Sequence, residues 1–276
     1  MASVGVQPFL RWAGSKRQLL PVLVDYWRGD HQRYVEPFAG SACLFFRLQP
    51  AAGVLGDINH ELIATYQIIK RRVGAVIECL AALQKGPDEY LHLRQLDPSS
   101  LAPPERAARF IYLNRFCFNG LYRTNRAGCF NVPYGGEKAA RMPAHEALVA
   151  CSRLLSRAEL IHGDFAKVLR RVRAGDFVYL DPPFSVAGRR VFREYDASAF
   201  SQQDVARLRK WLERLADMNI PFLLSYADCP EAETLGAGFR REVVTVKRSI
   251  AGFTGSRGDS LEVLISNRRP VTGRER

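Results

Sequence analysis

The sequence has little that would place it in a membrane or among disulfide-linked secreted proteins. No apolar stretch approaches the roughly 20 residues of a membrane-spanning helix, and the amino-terminal residues do not resemble a secretory signal. The chain has six cysteines and only five histidines, and no two cysteines are spaced Cys-x-x-Cys. This pattern indicates neither a zinc site nor a disulfide framework. We therefore expect reduced thiols, as in a cytoplasmic protein, and no bound metal.

Two signatures of phosphate binding are also missing. There is no Gly-x-Gly-x-x-Gly fingerprint, so a pyrophosphate cradle for a dinucleotide is not supported. The segment Gly14-Ser15-Lys16-Arg17 contains the residue types of a phosphate loop in the wrong order, because the Walker pattern requires Gly-Lys-Ser/Thr after a preceding glycine. Internal repeats and low-complexity tracts are absent as well, which argues against a repeat array.

The composition is that of an ordinary globular protein with a basic excess. Of 276 residues, 47% are hydrophobic and 25% charged, which is enough apolar material for a core. The net charge is +12, and such an excess favours a polyanionic partner through phosphate neutralisation and counterion release. Basic charge alone is not specific, because an arginine bias on solvated helix faces gives the same total.

Strand and helix patterns alternate on both sides of a helical block. Short apolar runs predict strands at residues 34–41 (with a glycine turn), 53–57, 159–161, 177–180 and 221–225. A helix from Ser201 to Met218 and an antiparallel pair at 242–246 and 261–265 follow. Residues 61–150 are mostly helical in pattern. We predict an α/β fold with a Rossmann-like doubly wound sheet in two pieces, 1–60 and 151–276, interrupted by an inserted helical domain at 61–150.

The most informative motif is Asp181-Pro182-Pro183-Phe184, which follows an apolar run typical of a buried strand. Asp181 can accept a hydrogen bond from an exocyclic amine, and the carbonyl of Pro182 can accept another, since proline lacks the donor but keeps the acceptor. Phe184 can stack on the planar ring that carries the amine. The structural alternative is a strand followed by a proline turn.

A second strand–turn motif suits a nucleoside. In Glu36-Pro37-Phe38-Ala39-Gly40 a strand turns on a glycine and enters a helix, which is where open α/β sheets bind adenosine-like ligands. Gly40 permits close backbone approach, and Asp57, at the next strand end, can accept hydrogen bonds from ribose hydroxyls. A simple structural turn is the alternative.

Two further motifs have equally plain alternatives. Trp12 and Lys16, near the amino terminus, could close over a bound cofactor, or Trp12 could fill the core while Lys16 lies on the surface. Asp164 could bind the amino group of an adenine while Phe165 stacks on it. Alternatively, Asp164 caps the next helix and Phe165 packs in the core.

A fourth motif lies in the helical block, where arginines, asparagines and aromatics alternate through residues 112–126 and 130–135. Asn and Arg pair bidentately with adenine and guanine edges, and aromatic side chains can fill the gap left by a displaced base. The alternative is a helical subdomain with a solvated basic face.

Taken in order, these motifs resemble the Dam family of DNA adenine-N6 methyltransferases, from Phe9 to about Asn267. The matching stretches are Phe9-Leu10-Arg11-Trp12-Ala13-Gly14-Ser15-Lys16, Val35-Glu36-Pro37-Phe38-Ala39-Gly40, Asp57-Ile58-Asn59, Tyr112-Leu113-Asn114-Arg115, Phe118-Asn119-Gly120-Leu121-Tyr122-Arg123, Phe130-Asn131-Val132-Pro133, Asp181-Pro182-Pro183-Phe184, Arg248-Ser249-Ile250 and Glu262-Val263-Leu264-Ile265-Ser266-Asn267.

The resemblance implies methyl transfer from S-adenosylmethionine to a flipped adenine in double-stranded DNA, most often in GATC, by a monomer in a bacterial or phage-infected cytoplasm. The residues Asp181, Pro182, Pro183 and Phe184 would be catalytic. Donor contacts would come from Trp12, Lys16, Glu36, Phe38, Gly40, Asp57, Asp164, Phe165 and Asp181. Contacts to DNA in the inserted domain and the amino-terminal motif would come from Arg11, Phe118, Asn119, Leu121, Arg123, Asn125 and Pro133.

The chain departs from the family pattern in three places. Phe184 stands where tyrosine is usual, Arg11 where the best-known members carry a lysine that touches a base edge, and Ser15 where a second glycine is usual. Residues 185–196 are expected to form a mobile loop beside the site, whose arginines meet phosphates. Two other functions stay open from the sequence: methylation of another amine, in RNA or a glutamine side chain, and DNA binding without catalysis.

Overall fold

The computed structural model describes residues 5–125, 127–136, 139–183, 200–247 and 259–271. Phe184 and the expected loop at 185–196 lie outside these ranges, so their expected roles are not located in the structure.

A seven-stranded sheet forms the centre of the protein, in the order β3-β2-β1-β4-β5-β7-β6. Its strands are β1 (Arg33–Glu36), β2 (Gly53–Asp57), β3 (Ala158–His162), β4 (Asp176–Leu180), β5 (Phe222–Ala227), β6 (Arg240–Lys247) and β7 (Asp259–Ser266). The first five strands run parallel, and β7 lies antiparallel between β5 and β6. The predicted mixed α/β class is confirmed, as is the antiparallel pair at one edge of the sheet.

Nine α-helices accompany the sheet within the described part of the chain. They are α1 (Leu20–Leu23), α2 (Cys43–Leu48), α3 (His60–Ala82), α4 (Pro87–Gln95), α5 (Pro103–Phe116), α6 (His145–Leu155), α7 (Phe165–Leu169), α8 (Gln202–Asp217) and α9 (Pro230–Gly236). Among the helices described, none is long and apolar enough to cross a membrane.

Helix α8 shows how local sequence sets an element. The Ser201 hydroxyl accepts from the Asp204 amide, and the Asp204 carboxylate accepts in return from the Ser201 amide, which is a capping box. Apolar residues then recur at helical spacing and are buried against the sheet, namely Val205, Leu208, Leu212 and Leu215. The predicted helix from Ser201 to Met218 is therefore confirmed within one residue at each end.

Both faces of the sheet are covered by apolar cores, which explains its nearly continuous apolar strands. Alternate residues of a strand point to opposite faces. Tyr34 and Phe177 belong to the larger core, which also includes α2, α3, α5 and α6, while Val35 and Val178 belong to the core beneath α7, α8 and α9. This leaves polar side chains to collect where the strands end.

The stretch between residues 61 and 150 contains α3, α4, α5 and most of α6, and has a small apolar cluster of its own around Tyr90, Tyr112 and Phe116. The prediction of a mostly helical block holds for these elements. The described residues from 117 to 134 are the part that is not α-helical. They form a hairpin-like loop with a short 3-10 helix, Phe118–Gly120, and antiparallel bridges between Cys117 and Tyr134 and between Thr124 and Phe130. Helix α5 ends at Phe116 because Cys117 has an extended backbone, and Asn119 and Gly120, both at positive φ, lie in the turn that follows.

A buried ion pair joins the two central strands. Arg33, on β1, donates from Nε and Nη2 to Asp176, on β4, over 3.0 and 2.8 Å, and the Arg173 amide donates to the same carboxylate over 2.9 Å. Asp176 has no exposed surface. These bonds hold the register in which Arg33 pairs with Asp176.

We expect Asp176→Ala to lower the free energy of unfolding by about 3 kcal/mol, because it leaves the guanidinium and an amide without their partner. Urea denaturation would measure the change. Glu159→Ala is the matched control, because its pair with Arg171 spans 3.6 Å between exposed side chains and should contribute less than about 1 kcal/mol. Equal losses in the two variants would contradict this assignment.

Candidate active site

The candidate site lies at the carboxyl edge of the sheet, between β1 and β4. The strand that follows β1 in the chain, β2, lies on one side of this pair, while β5, which follows β4, lies on the other. The strand order therefore reverses between β1 and β4, and open α/β sheets bind ligands in the crevice at such a point of reversal. Glu36, Asp57 and Asp181 end or follow three adjacent strands at this edge.

Asp181 is held by one of its two carboxylate oxygens. Oδ1 lies 2.8 Å from Lys16 Nζ and accepts from the Ser225 hydroxyl over 3.2 Å. Ser225 in turn lies 3.0 Å from the Tyr179 hydroxyl, so a buried chain of hydroxyls supports the carboxylate. Within the described residues Oδ2 receives no hydrogen bond, and the Asp181 side chain is 20% exposed. One oxygen is thus anchored and the other is available.

Opposite effects act on the two members of this pair. Burial raises the pKa of Asp181, and the charge and hydrogen bond of Lys16 oppose that rise without overcoming it. Burial alone would lower the pKa of Lys16. The charges of Asp181 and Glu262 raise it by more than burial lowers it, so the net shift is upward. The ammonium therefore stays charged although its side chain is only 3% exposed.

The glycine turn after β1 is closely packed against Trp12. Gly40 has φ +45°, and a Cβ there would come within 2.8 Å of Trp12 Cδ1. Its carbonyl accepts from the Tyr66 hydroxyl over 2.6 Å. Trp12 packs against this turn and is also stacked on Tyr122, with ring centroids 5.8 Å apart. Trp12 thus lies between the crevice and the hairpin.

Backbone amides fix the carboxylate of Asp57. Oδ2 accepts from the Gly40 amide over 3.0 Å and Oδ1 from the Asn59 amide over 2.9 Å. Burial raises the pKa of Asp57 despite these bonds. The next residue, Ile58, is an apolar side chain that is 61% exposed beside this acid. The acid and the apolar surface lie side by side at the end of β2.

Glu36 is a buried carboxyl group whose pKa is shifted strongly by its surroundings. It is 2% exposed, and its Oε2 has no hydrogen-bond partner within the described residues. Burial and the charges of Asp181 and Asp57 raise its pKa well above the usual range. A buried acceptor of this kind is costly unless a ligand donor completes it.

Asp164 and Phe165 have the geometry of their structural alternative. Asp164 Oδ1 caps α7 by accepting from the Ala166 amide over 2.9 Å, and accepts from Arg207 over 2.6 Å. Phe165 is buried, its ring centroid 5.3 Å from that of Phe38, with the Arg207 guanidinium 4.7 Å above it. Any adenine contact by this pair would have to use Asp164 Oδ2 or the backbone.

The described residues near the crevice supply four carboxylates, from Glu36, Asp57, Asp181 and Glu262, against the single ammonium of Lys16. Such an excess of acceptors suits a ligand that carries amino groups or positive charge. No group of three His, Cys, Asp or Glu side chains that could hold a metal ion occurs in the described part of the chain.

A second group of expected residues lies on the hairpin and its approach. Phe118 donates its amide to the Pro133 carbonyl over 2.9 Å, and Leu121 donates to the Phe118 carbonyl over 3.2 Å, so a tight turn presents Asn119 at positive φ. Phe118 and Leu121 pack only in part against the small cluster beneath them. The turn thus holds three of the expected DNA contacts within four residues.

Arg11 joins this turn to the crevice. Its amide donates to Asn114 Oδ1 over 2.8 Å, and its carbonyl accepts from Asn114 Nδ2 over 2.7 Å, so the buried Asn114 side chain binds both backbone groups of Arg11. A Cβ on Gly120 would come within 2.6 Å of Arg11 Cβ. Only glycine therefore lets the turn pack against the segment that also carries Trp12.

The other expected DNA contacts lie along the hairpin. Arg123 donates from Nε to Asn131 Oδ1 over 2.8 Å. Asn125 uses its Oδ1 to accept from the Ala127 and Cys129 amides, each over 3.0 Å, so this oxygen holds the tip of the loop. Pro133 is exposed on the returning side. The sequence-predicted residues thus fall into two groups, one at the crevice and one on the hairpin.

Three residues of these groups were not singled out as functional from the sequence: Ser225, Glu262 and Asn114. Ser225 and Glu262 lie in apolar strand runs, where a single polar residue is the available signal, and Asn114 lies within a helix. Each is buried and polar, which the sequence pattern alone does not reveal.

Comparison with known proteins identifies the family. The family model for D12 class N6 adenine-specific DNA methyltransferases matches residues 12–250. This chain belongs to that family. The chain is 34% identical over 273 residues to the Type II methyltransferase M1.LlaDCHI of Lactococcus lactis subsp. cremoris, with 96% of each protein covered.

Two further relatives span nearly the whole length. The Type II methyltransferase M.MjaIII of Methanocaldococcus jannaschii is 33% identical over 289 residues, covering 95% of this chain and 99% of the relative. The DNA adenine methylase of Escherichia coli strain K12 is 32% identical over 263 residues, with 93% of each covered. The protein is an adenine-specific DNA methyltransferase, so the resemblance found from the motifs is confirmed, and DNA is its substrate.

The raised pKa of Glu36 predicts a pH-dependent stability. Native Glu36 keeps a proton that the unfolded chain releases above about pH 4.3, so wild-type stability falls as the pH rises from there toward the native pKa. Gln cannot titrate. The free energy of unfolding of Glu36→Gln, relative to wild type, should therefore increase with pH across this window, as measured by urea denaturation between about pH 4 and 7.

Glu61→Gln is the control of opposite sign. Burial alone would raise the pKa of Glu61, but the hydrogen bonds and charge of Arg106 lower it more. The native carboxylate of Glu61 stabilises the fold at pH values above its unfolded-state pKa. This stabilisation is lost as the pH falls through the native pKa. Glu61→Gln should therefore lose stability relative to wild type as the pH rises. The same sign of pH dependence in both variants would show that the environment of Glu36 is wrongly assigned.

Proposed function

We propose that this protein transfers a methyl group from S-adenosylmethionine to N6 of an adenine flipped out of duplex DNA, with GATC as its target sequence. The observation that carries the proposal is the anchoring of Asp181, whose Oδ1 is fixed by Lys16 and Ser225 while Oδ2 is available at the crevice. Membership of the family implies the methyl donor, and the motif around Phe118 to Arg123 is the basis for GATC.

The crevice residues fit S-adenosylmethionine. The donor carries a sulfonium and an ammonium, which the acid-rich surroundings of Glu36 and Asp181 favour over neutral ligands. The unpaired buried Oε2 of Glu36 supplies an acceptor for an amino group. Asp57 is held where ribose hydroxyls could reach it, and the exposed Ile58 offers an apolar surface for the adenine ring. Trp12, Lys16, Phe38, Gly40, Asp164 and Phe165 complete the surroundings.

We assign methyl transfer to residues 1–60 and 151–276, and target recognition to residues 61–150. The separate apolar cluster around Tyr90 and Phe116 supports a distinct unit there. The turn of Phe118, Asn119 and Leu121, with Arg123, Asn125 and Pro133 along the hairpin and Arg11 beside it, would insert into or read the duplex. Rotating a base out costs roughly a few kcal/mol, and stacking by Phe118 in the vacated position returns about 1–3 kcal/mol.

The chemistry assigned to this chain is activation of a poor nucleophile. The N6 lone pair of adenine is delocalised into the ring. Asp181 Oδ2 would accept a hydrogen bond from one N6–H and the Pro182 carbonyl from the other, which favours a tetrahedral nitrogen with a localised lone pair. One of these protons leaves the methylated nitrogen for solvent once the new bond to carbon has formed. Positive charge builds on N6 as the bond to carbon forms, and the anchored carboxylate of Asp181 stabilises it. Pro183 and Phe184 would hold the ring in place. The donor supplies a sulfonium-bound methyl group as the electrophile.

Asp181→Asn tests the central role. The amide keeps the size of the carboxylate but removes its charge, so we expect kcat to fall by at least about 100-fold, with the Kd for duplex DNA within about twofold of wild type. Transfer of a labelled methyl group and fluorescence anisotropy with labelled duplex measure the two quantities. Asp217→Asn, at the exposed end of α8, is the matched control and should retain wild-type turnover.

Near-normal turnover of Asp181→Asn would overturn the assigned role. Calorimetry with S-adenosylmethionine also separates this enzyme from a DNA-binding homologue without catalysis, since the latter would bind DNA but not the donor.

The target sequence is tested with duplexes that carry GATC and duplexes in which each base is changed in turn. We expect kcat/KM for GATC to exceed that for each changed duplex by about 5- to 150-fold, since a lost base contact costs about 1–3 kcal/mol. Arg123→Ala should reduce this preference at one base pair and leave the others. A uniform rate across the series would exclude GATC as the recognised sequence.

A further inference from the structure

Glu262 is a buried acid in the middle of an apolar strand. It lies on β7 between Leu261 and Val263, pairs in register with Ala227 at the end of β5, and is 5% exposed. Because β5 ends at the carboxyl edge of the sheet, the antiparallel partner places Glu262 at the same edge as Asp181. A carboxylate in such a position is costly unless a nearby group compensates its charge.

The compensating group is the ammonium of Lys16. Glu262 Oε2 lies 3.7 Å from Lys16 Nζ, which is an ion-pair distance, while the same nitrogen donates to the Gly14 carbonyl over 3.0 Å and lies 2.8 Å from Asp181 Oδ1. An ammonium has three donor positions. The Lys16 ammonium thus has short contacts with Gly14 and Asp181 and a longer ion-pair contact with Glu262 on β7.

This arrangement restrains a side chain that is otherwise flexible. Lysine has a compact charge on a four-carbon stem, so a single carboxylate would fix its distance but not its direction. With Asp181 as sole anionic partner, the two groups could move together. The charge of Glu262 draws the ammonium toward β7, and Asp181 Oδ1 then stays against Lys16 and Ser225 while Oδ2 keeps its position at the crevice.

We propose that Glu262 is a positioning residue for methyl transfer, which acts through Lys16 to fix the orientation of the Asp181 carboxylate. The inference rests on the proposed role of Asp181. Glu262 touches neither adenine nor donor in this scheme. Its contribution is to geometry at the reacting nitrogen, where a displacement of about 1 Å can cost about 100-fold in rate.

Glu262→Gln tests the proposal, because it keeps the shape of the side chain and removes its charge. We expect kcat to fall by about 10- to 100-fold, while KM for DNA and for the donor changes by less than about threefold. A residue that merely supports the fold would lower the melting temperature without this division between kcat and KM. Glu242→Gln is the matched control. Glu242 is a partly buried acid on the neighbouring strand β6, and it accepts a hydrogen bond of 3.0 Å from the Tyr26 hydroxyl. The kcat of Glu242→Gln should equal that of wild type.

A spectroscopic signature follows Lys16 directly. In protein labelled with 15N-lysine, the Lys16 ammonium should give a 15Nζ signal whose protons exchange slowly with water, because its side chain is only 3% exposed. The signal is assigned by its loss in Lys16→Gln. In Glu262→Gln the signal should broaden or disappear, and in Glu242→Gln it should persist. If Glu262→Gln does not fold, Glu262→Asp replaces it. Its shorter arm retains the buried charge but withdraws it from Lys16, and an intermediate loss of kcat is expected.

Unchanged kcat or an unchanged Lys16 signal in the folded variant would overturn the positioning role. The wild-type protein separates the two proposals. If it transfers no methyl group to duplex DNA, the proposed function fails, whereas normal transfer by wild type together with normal transfer by Glu262→Gln removes only the role of Glu262.

Discussion

Strands β1 and β4 pair in parallel, although Arg33 on β1 and its partner Asp176 on β4 are 143 residues apart in the chain. The Arg33–Asp176 ion pair holds this register at one end of the strands, and the crevice opens at the other. Because β2 and β5, the strands next to this pair, lie on opposite sides of it, the strand order reverses here and the polar ends of β1 and β4 meet at the point of reversal. Glu36 and Asp181 owe their proximity to this pairing, and the assigned chemistry depends on it.

The crevice is electrostatically one-sided. Glu36, Asp57, Asp181 and Glu262 are gathered around one ammonium. Burial raises the pKa values of Glu36, Asp57 and Asp181, and the charges of Asp181 and Asp57 add to the rise at Glu36. Such a site costs folding free energy and is stabilised by a ligand of positive charge. The whole protein has the opposite sign, with a net charge of +12. An acidic pocket inside a basic protein suits two substrates of opposite charge, a cationic donor and polyanionic DNA.

One short segment joins the two groups of candidate residues, at the crevice and on the hairpin. Arg11, Trp12 and Lys16 are within six positions of each other, yet Arg11 is clamped by Asn114 against the hairpin turn, Trp12 lies between Gly40 and Tyr122, and Lys16 reaches Asp181. Continuous packing therefore connects the hairpin turn to the Asp181 carboxylate.

Sequence alone determined the fold class, the position of nearly every strand, the capped helix α8 and the motifs that end at Asp57 and Asp181, because periodicity, turn residues and caps are local properties. It also determined the family, since several ordered motifs are improbable by chance. Only the tertiary structure decided which motifs meet. It placed Glu262 beside Lys16 through the antiparallel insertion of β7, made Asn114 a clamp, folded residues 117–134 as a hairpin, and buried Phe165 while Asp164 caps α7. These outcomes depend on strand order and on contacts between residues far apart in the chain, and a local pattern carries no information about either.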